Sequence, residues 1–190
     1  MYYSATYQSP LGALTLACDG ERLVGLWIEG QKYYGHTIPE AMMERDAIPV
    51  FGIVKKWLDG YFAGEKPGIS QLPLAPIGGA FRQGVWRILC EIPYGEVTTY
   101  GDIARKMAAR EGKASMSSQA VGGAVGHNPI SIIIPCHRVV GAGGSEDAHE
   151  HIVVGVADVV AGGLLPHRQR LHVDAGHEVG GAVDEGFHAG

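Results

Sequence analysis

The first 62 residues combine an alternating hydrophobic pattern with a helical one. Residues 2–30 contain three short apolar stretches separated by the turn-like strings SPLG and CDGE, which predicts three β-strands. From Ile48 to Phe62 the apolar residues recur about every 3.6 positions, which predicts a helix. Residues 65–79 are rich in proline and glycine and are interpreted as an inter-domain connector.

Beyond the connector the pattern becomes mostly helical. The apolar positions from Phe81 to Ile92 predict a helix that ends before Pro93. The string TTYGDIARKMA predicts a second helix, with Thr98 or Thr99 as its N-cap, because a hydroxyl side chain satisfies free backbone N–H groups at a helix start.

A third, shorter helix is predicted in SSQAVGGAVGHN, with Ser117 or Ser118 as its N-cap. Two consecutive short helices, the second rich in small residues, indicate a helix-turn-helix. Gly122 and Gly123 have two interpretations, which are close packing between helices and close approach of a bound partner. The run ISIII at residues 130–134 is β-branched and apolar, and it predicts a buried strand.

Together these elements predict an α+β chain with two domains. Residues 1–75 form a small sheet with a helix, and residues 80–144 form a mostly helical domain with the helix-turn-helix. A chain of 190 residues can build one full core or two small ones. The chain begins without the features of a signal peptide, and no apolar run reaches the ~20 residues that a membrane helix needs. We therefore expect a soluble, cytoplasmic protein with no membrane partner.

The net charge of −5 is distributed unevenly along the chain. Residues 80–144 carry seven Lys and Arg against four Asp and Glu, a local charge of +3. Residues 145–190 carry two against eight, a local charge of −6. The mildly basic segment is compatible with contacts to phosphate groups, and the acidity belongs to the last quarter of the chain.

The three cysteines differ in their sequence surroundings. Cys18 and Cys90 lie in apolar stretches, and we expect both to be buried, unreactive thiols. Because the number is odd and no CxxC pair occurs, the sequence indicates neither a disulfide framework nor a zinc ribbon. Only Cys136 has polar, basic neighbours.

The predicted strand at residues 130–134 leads directly into Pro-Cys-His-Arg. A thiolate is the reactive form of cysteine, and a histidine that removes the thiol proton would make Cys136 a nucleophile. His137 and the cation of Arg138 follow it in the sequence. The alternative is a buried cysteine beside two solvated residues, and a bare Cys-His dipeptide does not decide between them.

The longer strings around this dipeptide favour the nucleophile. PYGEVTTYGDIA and QAVGGAVGHNPISIIIPCHRVVG closely resemble the active-site domain of the O6-alkylguanine-DNA alkyltransferases, the methylated-DNA–protein-cysteine methyltransferases. The resemblance runs from about Phe81 to Gly144, and SPLGALTLACDGERLVGLW is a weaker match to the family's N-terminal domain. It implies a single-turnover enzyme that repairs DNA by taking a methyl or larger alkyl group from O6 of guanine.

The resemblance also implies four catalytic residues. Cys136 matches the alkyl acceptor, and His137 matches the histidine that deprotonates it through a water molecule. Asn128 matches an asparagine that steadies the turn and the thiol region. Tyr100 matches a tyrosine that helps to turn the target phosphate and push the base out.

The implied DNA contacts lie on and beside the third predicted helix, which matches the family's recognition helix and enters the minor groove through small residues. They are Tyr100, Gln119, Ala120, Gly122 and Gly123, to which we add the nearby cation Arg138. Because O6 of a stacked guanine is out of reach, the nucleotide must be flipped into a pocket. We expect a monomer whose partner is double-stranded DNA containing O6-alkylguanine. The chemistry requires no metal and no cofactor.

The chain departs from the family at Gln119, where many members have an arginine, and in residues 145–190. This tail contains no Lys, Tyr, Trp or Asn but six of the nine histidines. Our hypothesis is that the tail is read out of frame after Ser145. If the tail is native, Asp174 is the candidate to take the place of the glutamate that orients the histidine in the family. The tail histidines lack the spacing of a metal site and are interpreted as solvated.

Three alternatives to the transferase remain open from the sequence. The first is a lesion-binding protein that flips the base without reacting, inactivated by the atypical tail. The second is an unrelated Cys-His hydrolase, although no oxyanion pattern is present. The third is a poorly folding product that lacks its last native helix.

Overall fold

Four strands and a helix make up the first 62 residues of the computed structural model, which describes residues 1–141 of the chain. The strands are β1 (Tyr2–Ser9), β2 (Gly12–Cys18), β3 (Leu23–Ile28) and β4 (Met42–Glu44). They form one sheet in the order β3-β2-β1-β4, antiparallel except for β4, which runs parallel to β1. The three predicted strands are confirmed. The fourth was missed because its three residues are largely exposed and show no alternation.

Helix α1 (Pro49–Phe62) confirms the helix predicted from the 3.6-residue period. Ile48 is its N-cap and a proline follows at the first position, where a missing N–H costs nothing. The buried face of α1 packs on the sheet and contributes Phe51, Val54, Trp57, Leu58 and Tyr61 to the main hydrophobic core. This face carries Tyr61 towards the second half of the chain.

Three helices follow the connector, namely α2 (Ala80–Cys90), α3 (Tyr100–Arg110) and α4 (Ser118–Gly126). The N-cap of α3 is Thr99, whose hydroxyl and the Asp102 carboxylate form a capping box. The N-cap of α4 is Ser117. All three predicted helices and the α+β class are confirmed. The assignment of α3 and α4 to a helix-turn-helix stays a prediction.

A two-stranded parallel ladder joins the start of α3 to the segment after the cysteine. It pairs β5 (Thr98–Thr99) with β6 (Val139–Val140). Because Thr99 caps α3, this pairing fixes the first turn of α3 beside the Cys136 segment. The indole N–H of Trp86 donates to the carbonyl oxygen of Ala124 at 2.9 Å and links α2 to α4 in the same region.

The strand predicted at residues 130–134 is wrong. Ile130 makes one isolated parallel bridge to Leu26 of β3, and the chain then turns, with Ile132 in the left-handed region at a φ of 69°. The burial predicted for the run is correct, since all five residues are buried. A β-branched run normally favours a strand, but here the side chain of Asn128 bonds the backbone on both sides of the turn.

Residues 142–190 lie outside the described part of the chain. The predictions that fall there are the out-of-frame tail at 145–190, Asp174 as the orienting carboxylate, the solvated histidines and the end of the predicted second domain. The boundaries 1–75 and 80–144 stay predictions. Across residues 1–141 the structure contains no helix long and apolar enough to span a bilayer.

Candidate active site

Cys136 begins a short 3₁₀ turn (Cys136–Arg138) directly after Pro135. The residue is half-buried, and its backbone N–H donates to the carbonyl oxygen of Ile134 at 2.8 Å. Burial raises the pKa of the Cys136 thiol above its ordinary value. Hydrogen bonds from the Asn128 side chain and from the backbone N–H groups of Cys136 and His137 act in the opposite direction. The sulfur therefore has donors ready for a thiolate, although burial favours the thiol.

Asn128 lies just after α4 and spans the turn that leads to the cysteine. Its side-chain oxygen accepts the N–H of Ile130 at 3.0 Å, and its Nδ2 donates to the carbonyl oxygen of Ile134 at 2.8 Å. The residue is only 5% exposed, so these bonds replace water for buried backbone groups. With its further contact to Cys136, Asn128 couples the shape of the turn to the position of the thiol.

The imidazole of His137 is half-buried and makes its side-chain contact with a residue from the first half of the chain. Its Nε2 lies 3.4 Å from the hydroxyl oxygen of Tyr61 on α1. Burial lowers the pKa of His137 to about 3, and the adjacent Arg138 cation acts in the same direction. The ring is therefore neutral near pH 7, as a group that accepts a proton must be.

Sequence reasoning missed Tyr61 as a neighbour of His137. Its position on the apolar face of α1 indicated only that the ring belongs to the core, and it is indeed 2% exposed. The periodicity carries no information about which partner a buried hydroxyl meets 76 positions later in the chain. A buried tyrosine needs a partner for its hydroxyl, and that need was the signal available.

The guanidinium of Arg138 is held by contacts within the protein. Its Nη1 donates to the carbonyl oxygen of Ile92 at 3.0 Å, and its Cζ lies 5.2 Å from the ring centroid of Tyr94. The residue is half-buried. These contacts fix the cation beside the cysteine turn, and a DNA contact by Arg138 stays a prediction.

Three of the four predicted DNA-contacting residues of α4 lie on its solvent side, and Gly122 is half-buried. Gln119, Ala120 and Gly123 are exposed, whereas the buried side of α4 consists of Val121, Ala124 and Val125.

Gly122 and Gly123 of α4 each fit a different one of the two interpretations, close packing between helices and close approach of a bound partner. A Cβ on Gly123 would meet no atom of the described residues within 4 Å, which fits close approach of a partner. A Cβ on Gly122 would lie 3.8 Å from the ring of Tyr100, which fits close packing. The structure thus brings Tyr100 against α4.

The other two thiols are poor nucleophiles. Cys18 is buried as expected, and burial raises its pKa. The prediction that Cys90 is buried needs correction, because it is half-buried at the end of α2. Burial and the neighbouring Glu91 carboxylate nevertheless raise the pKa of Cys90 to about 11, so its thiol is protonated near pH 7. Within residues 1–141 no three His, Cys, Asp or Glu side chains are grouped so that they could hold a metal ion.

Comparison with known protein families gives two adjoining matches. Residues 1–76 match the family described as "6-O-methylguanine DNA methyltransferase, ribonuclease-like domain". Residues 80–157 match "6-O-methylguanine DNA methyltransferase, DNA binding domain". Together the two matches span more than two thirds of the chain.

Individual relatives agree with this result. The chain is 42% identical over 141 residues to a methylated-DNA–protein-cysteine methyltransferase of Haemophilus influenzae, covering 74% of each protein. It is 41% identical over 145 residues to one of Methanosarcina acetivorans, covering 76% of this chain and 86% of the relative. The crystal structure of Mycobacterium tuberculosis OGT in complex with DNA superposes with a TM-score of 0.67 at 36% identity, covering 84% of this chain and 89% of that one.

Proposed function

Because the chain belongs to the 6-O-methylguanine DNA methyltransferase family, we propose that it repairs DNA by moving an alkyl group from O6 of guanine to Cys136. The observation that carries the proposal is the placement of the Cys136 thiol. It lies at the start of a tight turn, within reach of Asn128 and of two backbone N–H groups, with His137 next to it. Among residues 1–141, one backbone hydrogen bond lowers the pKa of Cys18 and none lowers that of Cys90, and an acidic residue rather than a histidine follows each of them.

The reaction follows from this arrangement. The thiol proton of Cys136 passes to the neutral imidazole of His137, directly or through water, and the donors around the sulfur stabilise the thiolate. The sulfur then attacks the sp³ carbon of the alkyl group. The S–C bond forms as the C–O6 bond breaks, and guanine leaves with the electron pair and takes up a proton. The thioether is stable, so each molecule reacts once.

The DNA partner must bring its base to the thiol. In this proposal the exposed side of α4 enters the minor groove, where Ala120 and Gly123 allow close approach. Tyr100, at the first position of α3, acts on the target phosphate, and Gln119 occupies the place of the extruded base. Because O6 of guanine is inaccessible in the stack, the substrate is a flipped O6-alkylguanine in double-stranded DNA.

The test is intact-mass measurement before and after incubation with a duplex that contains one O6-methylguanine. We expect the mass gain of one methyl group per chain, mapped by peptide analysis to Cys136. Cys136→Ser should bind the duplex and gain no mass. A mapped methyl on another residue, or binding without any mass gain in the natural chain, would contradict the proposal. The second outcome would instead identify a lesion-binding protein.

The proposal includes a monomer acting in the cytoplasm. Within residues 1–141 the proposed thiol (Cys136) and the proposed DNA-facing helix α4 belong to the same chain, so the reaction requires no second copy. Sedimentation of the chain alone and with one equivalent of duplex would give masses of one chain and of a one-to-one complex. A two-to-one complex at equal concentrations would contradict the monomer.

A further inference from the structure

The hydroxyl of Tyr61 lies where it can control the tautomer of His137. The two residues come from different family-matched regions, and their side chains meet with the Tyr61 oxygen 3.4 Å from Nε2. An imidazole must present a lone pair to accept a proton, and the partner of one ring nitrogen decides which nitrogen carries the hydrogen. A buried group at Nε2 therefore affects the chemistry at Nδ1.

Aromatic packing holds the Tyr61 ring in place. The ring stacks on Trp57, one turn earlier in α1, with centroids 5.2 Å apart and an interplanar angle of 13°. Phe62 and Tyr94 pack edge-on against it at 5.5 Å and 6.4 Å. Trp57 is itself anchored by its indole N–H, which donates to the carbonyl oxygen of Gly68 at 3.1 Å. The hydroxyl is thus presented by a rigid cluster rather than by a mobile side chain.

The groups around the Tyr61 hydroxyl favour its oxygen as a hydrogen-bond acceptor. The Arg138 guanidinium is within hydrogen-bonding reach of it, and a guanidinium can only donate. Burial raises the pKa of Tyr61 to about 12, so the phenol stays neutral in spite of the nearby cation. A neutral phenol oxygen is an acceptor as well as a donor, so it can accept the Nε2–H of His137 while its own hydrogen turns elsewhere.

We propose that Tyr61 is a positioning residue for His137, accepting the Nε2–H of the imidazole so that Nδ1 receives the proton of Cys136. This role rests on the function proposed above. With the hydrogen on Nδ1 instead, the ring would have no lone pair there, and Cys136 would stay a thiol. Once the imidazole is protonated, its bond from Nε2–H to Tyr61 becomes charge-assisted and stabilises the cation.

The test compares Tyr61→Phe with the natural chain in two reactions at Cys136. One is methyl transfer from an O6-methylguanine duplex under single-turnover conditions, and the other is alkylation by iodoacetamide, mapped to Cys136 by peptide mass. We expect both rates to fall roughly tenfold near neutral pH, the effect of losing one hydrogen bond to a charged group, with unchanged DNA affinity. The deficit should close as the pH approaches the thiol pKa, because the thiolate then forms without a base.

Tyr7→Phe is the matched control. The hydroxyl of Tyr7, in β1, donates at 2.8 Å to Asp59, which lies in α1 like Tyr61. Loss of this hydroxyl should leave both rates unchanged. A second comparison uses His137→Ala, in which removing the Tyr61 hydroxyl should have no further effect. The natural chain and all variants could fail to transfer methyl while the iodoacetamide rates change as expected. That result would support the role of Tyr61 and reject the transferase.

Three results would overturn the proposal. The first is unchanged rates in Tyr61→Phe. The second is an equal loss in the presence and absence of the His137 imidazole, which would show that Tyr61 does not act through it. The third is a loss that is constant at every pH and accompanied by a lower melting temperature, which would identify a purely structural role.

Discussion

Nδ2 of Asn128 donates a hydrogen bond of 2.8 Å to the carbonyl oxygen of Ile134, and this bond closes the turn that precedes the reactive cysteine. The same side chain accepts the N–H of Ile130 at 3.0 Å and contacts Cys136. One asparagine therefore satisfies two buried backbone groups and supplies a donor to the sulfur. Stability and reactivity should both depend on it.

Asn128→Ala should destabilise the protein and slow alkylation of Cys136. The substitution leaves the N–H of Ile130 and the carbonyl of Ile134 buried without their partner, at about 1–3 kcal/mol each. Urea unfolding at pH 7 and iodoacetamide modification of Cys136 measure the two effects. Ser131→Ala is the control, because it removes a nearby 3.0 Å bond to Gln31 and should cost about 1 kcal/mol without changing the thiol. Equal effects of the two substitutions on Cys136 would refute the special role of Asn128.

The same asparagine explains why part of the site was predictable and part was not. The three strands in residues 2–30 follow from short apolar stretches bounded by turn-like strings, a local signal that needs no distant partner. The burial of the ISIII run follows from its apolar residues in the same way. Its backbone conformation does not, because the backbone bonds to the side chain of Asn128, which a propensity argument leaves out. The cysteine and histidine were found because the chemistry resides in adjacent residues. Tyr61 was missed because its partner is distant in sequence and its own position indicates only the core.

The stability of the protein should fall as the pH is lowered from about 6.5 to about 3. Burial lowers the pKa of His137 to about 3 in the folded state, against an ordinary value of 6.5. The unfolded chain therefore binds one more proton in this window, and the free energy of unfolding decreases by at most about 1.4 kcal/mol per pH unit from this residue.

Urea midpoints at pH 7 and pH 5 should show this slope in the natural chain and a shallower one in His137→Gln. Gln is the suitable replacement because it keeps a polar group near Tyr61 and does not titrate. Parallel slopes in the two proteins would show that His137 titrates normally in the folded state.

Gly123→Leu should weaken binding to duplex DNA by about tenfold or more while the fold is retained. Gly123 is exposed, and no atom of residues 1–141 lies within 4 Å of the position of a Cβ there, so the added side chain should project away from the buried side of α4. It would instead obstruct a minor groove only about 6 Å wide. Fluorescence anisotropy with an O6-methylguanine duplex gives the affinity, and thermal unfolding checks the fold. Gly52→Leu adds the same side chain to an exposed helical position of α1 and should leave DNA binding intact.

Gly25→Ala should be among the most damaging single-methyl additions in the sheet. A Cβ at Gly25 would lie 1.9 Å from Cη2 and 2.4 Å from Cζ2 of Trp27, whose ring covers this glycine from the same face of β3. Trp27 is fully buried, so its ring can give way only by displacing its neighbours. We expect a loss of about 3 kcal/mol or more, the upper end of what overpacking costs. At Gly52, in an exposed turn of α1, an added methyl meets no atom within 4 Å in the described part of the chain, so Gly52→Ala should raise stability by about 0.5–1 kcal/mol through helix propensity. Chemical unfolding of the two variants under identical conditions tests the pair. If Gly25→Ala were neutral, the Trp27 ring could not pack over residue 25 as it does here, and the small apolar cluster around it would have to be arranged differently.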